Sequence, residues 1–170
     1  MPRHRPLAES AVALFVAALC VVAWLAPARA APVGTAWSWP LTPPQLTRYF
    51  DPPVVKWGSG HRGVDLGGAA GQPVTAAGDG TVAFVGMVAG RPVISIDHPS
   101  GLRTTYEPVT STLTAGTPVS AGQQIGVLDA GHLGCPAAAC LHWGVRRGET
   151  YLNPLMLLGM LEVRLLPFED

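Results

Sequence analysis

Short runs rich in β-branched residues, separated by glycine-containing turns, dominate the chain from residue 71 onward. Apolar and polar positions alternate within these runs, which is the period of a strand that buries one face. The runs are Thr81–Val85, Pro92–Asp97, Leu102–Tyr106, Gln124–Leu128 and Leu141–Val145. We therefore predict an all-β fold made of many short antiparallel strands.

A weak internal repeat supports this prediction. Gly71–Ala76 reads Gly-Gln-Pro-Val-Thr-Ala, and Gly116–Ala121 reads Gly-Thr-Pro-Val-Ser-Ala. Each copy is followed by a glycine and then by a β run, so two related hairpin units are expected. Lipoyl and biotinyl carrier domains have similar turns, but a carrier must present a lysine at a hairpin tip. The only lysine is Lys56, which precedes the strands, and a carrier function is therefore excluded.

The first thirty residues predict a signal peptide. A basic segment at residues 3–5 precedes the apolar run Ala11–Leu25, and the small-residue sequence Ala28-Arg29-Ala30 follows. These are the parts of a secretory signal, with cleavage expected after Ala30. The apolar run is shorter than the roughly 20 residues of a spanning helix, although an uncleaved anchor stays the alternative. We expect an exported protein with no stable membrane insertion after cleavage.

The charge of the exported part excludes a polyanionic partner. Without Arg3, Arg5, Arg29 and Glu9, eight of the eleven basic and ten of the eleven acidic residues remain, a net charge of −2. Domains that bind nucleic acid through its phosphates carry an excess of basic residues. No nucleic-acid partner is therefore expected, and the sequence leaves the oligomeric state open.

Proline content sets the remaining boundaries. Residues 31–59 contain prolines that rule out a long helix and predict an irregular, tryptophan-rich lead-in. Residues 60–160 form the predicted β domain, and residues 161–170 form a C-terminal tail. Within Tyr151–Leu161, Pro154 and Gly159 limit any helix to a short packing element.

Two cysteines remain after removal of the signal, Cys135 and Cys140. An even number of cysteines in an exported protein favours a disulfide, and so short a loop is closed if the chain reverses direction there. The alternative is that Cys140 keeps a free thiolate and becomes a metal ligand.

Three residues in two segments form a candidate zinc site. His61 and Asp65 lie in the sequence His-Arg-Gly-Val-Asp, where Gly63 argues against a helix and is expected to bend a loop entering a strand. In Cys-Leu-His-Trp, strand alternation places Cys140 and His142 on one face. Two histidines and one aspartate leave a fourth position for water, which is typical of catalytic zinc.

Gly60–Leu66, the repeated Gly-x-Pro-Val turns and Leu141–Trp143 resemble the lysostaphin and LytM metallopeptidases, the glycyl-glycine endopeptidase or duplicated-hybrid-motif family. The resemblance runs from about Gly60 to Leu158. It implies an antiparallel barrel-sandwich, zinc as cofactor, and hydrolysis of peptidoglycan stem or cross-link peptides in the cell wall. The residues that correspond to the family's zinc ligands are His61, Asp65 and His142.

Two accessory histidines of that family are missing. Its Tyr-x-His motif corresponds to Tyr106-Glu107-Pro108, and the first histidine of its HxH motif corresponds to Cys140. Because a positioned acid or base contributes about 10²- to 10⁴-fold to rate, this loss predicts weakened catalysis. His132 is the candidate catalytic replacement, with Cys140 a further candidate. Glu107 is expected to face away from the metal if Pro108 faces it.

Three functions follow from these patterns. The preferred one is a secreted zinc metalloendopeptidase with weakened activity on peptidoglycan cross-links. The alternative is a catalytically degenerate protein that binds wall peptides or regulates a wall hydrolase. The third is a secreted β domain with a structural zinc, which would require four protein ligands instead of three and a water.

Overall fold

The computed structural model describes residues 37–132 and 134–160. The predicted signal peptide and the tail at 161–170 lie outside the described residues. The strands are β1 (Leu46–Arg48), β2 (Gly63–Gly68), β3 (Pro73–Thr75), β4 (Gly80–Val88), β5 (Arg91–Asp97), β6 (Arg103–Glu107), β7 (Val109–Thr110), β8 (Pro118–Val119), β9 (Gln124–Leu128), β10 (Ala139–Arg147) and β11 (Thr150–Leu152). Four of the predicted runs fall within β4, β5, β9 and β10, and the run Leu102–Tyr106 overlaps β6 from Arg103 onward.

The strands form two sheets. The larger sheet has the order β1-β2-β10-β6-β5-β4-β8, with β11 paired to the end of β10, and the smaller has the order β3-β9-β7. Neighbouring strands pair antiparallel throughout. The predicted all-β class is therefore confirmed, whereas the barrel-sandwich form stays a prediction.

Strand β10 carries the predicted ligand His142 and pairs with β2 on one side and β6 on the other. Leu141, Trp143 and Val145 alternate along it and are buried in the core. Period-two alternation therefore directs His142, between two of these core residues, to the opposite face of the sheet. Trp143 is thus a core residue, and the exposed tryptophan in the described lead-in is Trp57.

The lead-in is less irregular than the sequence predicts. It contributes the edge strand β1 and a bridge between Asp51 and His61. Proline excludes helix in this segment, but no proline lies between Pro44 and Pro52, which leaves enough backbone donors for a short edge strand. This strand brings Arg48 beside Asp65.

The internal repeat is visible in the backbone. Gly71 and Gly116 both have positive φ, 81° and 90°, and a proline begins a short strand two residues after each. A positive φ is the conformation that glycine tolerates best, which explains its place in both copies. The strands that follow, β3 and β8, nevertheless lie in different sheets.

His98 directly follows β5 and belongs to a buried polar chain. Its Nδ1 donates to the Asp79 carbonyl at 2.8 Å, and its Nε2 lies 2.7 Å from the Thr104 hydroxyl. That hydroxyl is 2.9 Å from the Tyr106 hydroxyl. Burial lowers the pKa of His98 and raises the pKa of Tyr106 to about 12, so both groups are neutral at physiological pH.

The chain segment after β11 packs as a short 3₁₀ helix, Pro154–Leu158. Asn153 caps its start by accepting from the Leu155 backbone N–H at 3.1 Å, and Gly159 ends it with φ of 67°. Leu155 is buried against the core, so the predicted packing role is confirmed. Within 37–132 and 134–160, no helix has the length and apolar character needed to cross a membrane.

Candidate metal centre

One row of residues crosses four adjacent strands of the larger sheet. Arg48 on β1 is opposite Asp65 on β2, Asp65 is opposite His142 on β10, and His142 is opposite Glu107 on β6. Residues directly opposite each other project from the same face of a sheet. We call these four residues the cross-strand row.

His61 reaches this row from the bridge that precedes β2. Its Nε2 lies 2.8 Å from Asp65 Oδ1 and 3.0 Å from His142 Nδ1, and His142 Nδ1 lies 2.9 Å from the same carboxylate oxygen. Possible ligand atoms of the three residues are all within 4.8 Å of one another. The structure therefore brings the three sequence-predicted ligands to one point.

The hydrogen bonds of His61 fit a metal ligand. Its Nδ1 lies 2.7 Å from the Tyr49 carbonyl, which can only accept, so Nδ1 carries the proton. In the neutral ring, Nε2 then presents a lone pair toward the Asp65 carboxylate oxygen at 2.8 Å. Two acceptors at that distance need a cation or a second proton between them, and two imidazoles with one carboxylate suit zinc.

The charge state of Asp65 also favours a cation. Burial on its own raises the pKa of this carboxyl, but the hydrogen bond with His142 and the charges of His61, His132 and His142 outweigh burial. The net pKa lies below the usual value, so Asp65 is a carboxylate at neutral pH. Metal binding requires this deprotonated form.

Gly63 has a different role from the one expected. It lies within β2 with an ordinary negative φ, so it does not provide a special bend. A Cβ at this position would come within 2.4 Å of the Trp143 carbonyl oxygen and 2.8 Å of the His142 ring. Glycine is required because β10 and the His142 side chain approach the backbone closely.

Cys140 is joined to Cys135 in a disulfide with an S–S distance of 2.05 Å. Its sulfur is therefore not available as a thiolate ligand, and the metal-ligating group found among the described residues has three members. The bond ties the start of β10 to the loop that carries His132, whose carbonyl accepts from the Cys135 backbone N–H at 3.2 Å.

His132 lies beside the three ligands. Its Nε2 is 3.5 Å from Asp65 Oδ1, and its ring is stacked near the His142 ring at a centroid distance of 6.3 Å. The side chain is only 14% exposed although the residue lies in a loop. The predicted disulfide was the sequence signal that indicated this position of His132, because the bond draws the loop back onto β10.

The expectation that Glu107 faces away from the site is wrong. Glu107 is opposite His142 in the strand register and lines the same groove, whereas Pro108 is buried. The expectation assumed that residue 108 faces the metal. Tyr106 instead belongs to the core, so alternation puts residue 107 on the groove face. The Glu107 carboxylate pairs with Arg91 Nε at 2.5 Å.

The candidate ligands lie beside a groove of about 500 Å³. His61, His132 and His142 line it together with charged side chains from neighbouring strands. Three candidate ligands, of which His61 and Asp65 are buried and His142 is partly exposed, leave room at the edge of an open groove for a water at a bound metal.

Comparison with known families gives a match over most of the described chain. The model of peptidase family M23 matches residues 59–154. Uncharacterized proteins of Mycobacterium tuberculosis and Mycobacterium bovis are 54% identical over 137 residues, covering 78% of this chain and 55% of each relative. The chain thus spans about half the length of the curated relatives it matches.

Solved structures share the fold. A zinc-containing peptidase from Vibrio cholerae is 26% identical with a TM-score of 0.57, over 69% of this chain and 38% of that one. Csd3 from Helicobacter pylori is 28% identical with a TM-score of 0.58, over 81% and 38%. The catalytic domain of the antimicrobial peptidase lysostaphin from Staphylococcus simulans is 24% identical with a TM-score of 0.57, over 68% and 92%.

Proposed function

Because this chain belongs to peptidase family M23, we propose that it is a secreted zinc metalloendopeptidase that hydrolyses peptide cross-links of peptidoglycan. The observation that carries the proposal is the convergence of His61, Asp65 and His142 beside an open groove. Three protein ligands with a free fourth position are the donor set of a catalytic zinc.

Each ligand has a defined task in this proposal. Bound zinc would polarise the scissile carbonyl and lower the pKa of its water to about 7. The Tyr49 carbonyl fixes the ring of His61 so that Nε2 faces the metal position. Asp65 supplies the negative charge, and His142 contributes Nδ1 from the centre of the sheet.

His132 is proposed to take over part of the work of the two missing family histidines. Its Nε2 lies at the edge of the ligand set, where it can hold a proton or donate a hydrogen bond to an oxygen of the substrate. The disulfide restricts its loop and thereby reduces the cost of placing the ring. Pro108 is buried and offers no side-chain donor or acceptor for this task.

A second candidate function is a degenerate wall-peptide binder or hydrolase regulator on the same fold. It is favoured by Pro108 and Cys140, which stand where the family has histidines. Retention of all three metal ligands favours the enzyme, since a binder needs the groove but not the metal. The third candidate, a purely structural zinc, requires a fourth protein ligand, whereas the candidate metal-ligating group found within residues 37–132 and 134–160 has three members.

The test of the enzyme proposal combines zinc analysis with an activity assay. Exported protein is expected to hold about one zinc per chain, by analogy with single-zinc catalytic sites, and to release new amines from purified peptidoglycan. A chelator should abolish both, and added zinc should restore both. Bound zinc without amine release would reject the peptidase and favour the binder.

His132→Ala is expected to lower kcat about 10²- to 10⁴-fold while bound zinc stays stoichiometric, because a proton-handling group is lost and no ligand is removed. Steady-state kinetics and elemental analysis measure the two effects separately. Pro136→Ala, at an exposed position in the same loop, is the matched control. A wild-type rate for His132→Ala would assign the catalytic assistance elsewhere.

A further inference from the structure

The groove beside the ligand set has an excess of positive charge, although the whole chain has a formal net charge of zero. Arg48, Arg62 and Arg91 line it, and Glu107 is the one carboxylate among its lining residues. Guanidinium groups concentrated next to a reaction centre favour an anionic ligand over a neutral one.

Arg62 is committed to the structure of the groove wall. Its Nη2 donates to the carbonyls of Lys56 at 2.8 Å and Gly58 at 3.3 Å, and its guanidinium lies 5.8 Å from the centre of the Tyr151 ring. These bonds hold the segment that precedes His61. Arg62 therefore contributes charge, while its donors are partly used by the protein itself.

Arg48 is in the opposite situation. It is exposed at the end of β1, one strand beyond Asp65 in the cross-strand row. Among the hydrogen bonds and ion pairs of residues 37–132 and 134–160, none involves its guanidinium. A planar group with five donors is thus available at one side of the ligand set.

Arg91 occupies the other side of the ligand set. Its Nε is paired with Glu107. Glu107 lies on β6, directly opposite His142 on the neighbouring strand β10. The Arg91 side chain is 46% exposed, and Nε is the atom that makes this pair, so the terminal Nη groups remain for a ligand. Glu107 serves here as the residue that positions Arg91 in the groove.

We propose that Arg48 and Arg91 bind carboxylates on the two sides of the scissile bond, so that the groove selects cross-link peptides with free carboxylates. The inference rests on the proposed function and names its substrate class. Strands are about 4.8 Å apart, and an extended peptide advances about 3.4 Å per residue. The two arginines therefore reach groups within two or three residues of the metal position.

The test uses two synthetic cross-linked peptides that differ only beside the scissile amide, one with free carboxylates and one with carboxamides. Affinity is measured calorimetrically with zinc-loaded exported protein, and hydrolysis is followed in parallel. The carboxylate peptide is expected to bind about tenfold more tightly, since guanidinium–carboxylate bonds are the strong, charge-assisted kind. Arg48→Gln and Arg91→Gln should each lower this preference about threefold, and the double variant should remove it.

Arg147→Gln is the matched control, because Arg147 is exposed on β10 and does not line the groove. This variant should prefer the carboxylate peptide over the carboxamide peptide as strongly as the wild type does. Equal affinity for both peptides, binding of neither peptide, or the same loss in the control would overturn the inference. A retained preference without hydrolysis of either peptide would reject the peptidase and leave the carboxylate selectivity standing.

Discussion

His142→Ala is expected to lose bound zinc and peptidoglycan hydrolysis together. The variant removes one of three ligands and leaves only the His61–Asp65 pair. Loss of a group that merely orients a ligand weakens metal binding about 10- to 100-fold, so loss of a ligand should exceed 100-fold. Zinc titration with a competing chelator and amine release from peptidoglycan measure both effects.

The fold should survive this substitution. His142 projects from the groove face and its side chain is 19% exposed, whereas its neighbours Leu141 and Trp143 are buried. Arg146→Ala is the control, because it removes a long side chain from the same face of the same strand and is not a ligand. Full zinc occupancy in His142→Ala would contradict the proposed ligand set.

The parts of the molecule that the sequence predicted are those with a local signal. Alternation of apolar and polar residues is a local property, and it located β4, β5, β6, β9 and β10. The ligand set was predicted because its residues occur in two compact motifs. The pairing of Cys135 with Cys140 was predicted because these two cysteines alone remain after the predicted signal peptide, and the structure contains that disulfide.

The position of Glu107 could not be predicted in this way. Alternation gives only relative faces, so the assignment depended on which neighbour was taken to face the metal. Tyr106 resolves the choice, because its ring is fully buried and its hydroxyl accepts from the Ala77 backbone N–H at 2.9 Å. Such a contact joins residues that are distant in sequence, and no local pattern reveals it.

His132 illustrates the same limit in a loop. Its sequence neighbours are glycine-rich and have no period, so only the disulfide suggested that the loop returns to β10. The distance of 3.5 Å to Asp65 depends on the folded path of the loop. The sequence therefore identified His132 as a candidate but could not place it.

Gly63→Ala is expected to damage the metal centre without replacing a proposed ligand, because the new Cβ would press on the β10 backbone and on the His142 ring. The new Cβ would lie 2.4 Å from a backbone oxygen of β10, which cannot rotate away as a side chain can. Strands β2 and β10 must then separate, which moves His142 on β10 relative to Asp65 on β2. Overpacking of this kind costs about 1–3 kcal/mol of unfolding free energy, and zinc affinity should fall as well.

Gly67→Ala is the matched control, because it also adds a methyl group to β2. It separates the effect of pushing β2 away from β10 from the effect of an added methyl group in general. Its Cβ would meet the Gln45 and Thr47 side chains at 3.1 Å and the Ala137 Cβ at 3.3 Å, so it has no contact as short as the 2.4 Å to backbone at Gly63. Urea unfolding in the presence of chelator measures packing alone, and zinc titration then measures the site. If Gly63→Ala bound zinc like the wild type, the spacing of β2 and β10 would not control the ligand geometry. Because the pairing of β2 with β10 sets Asp65 opposite His142, we expect strand separation to weaken the site in Gly63→Ala and not in Gly67→Ala.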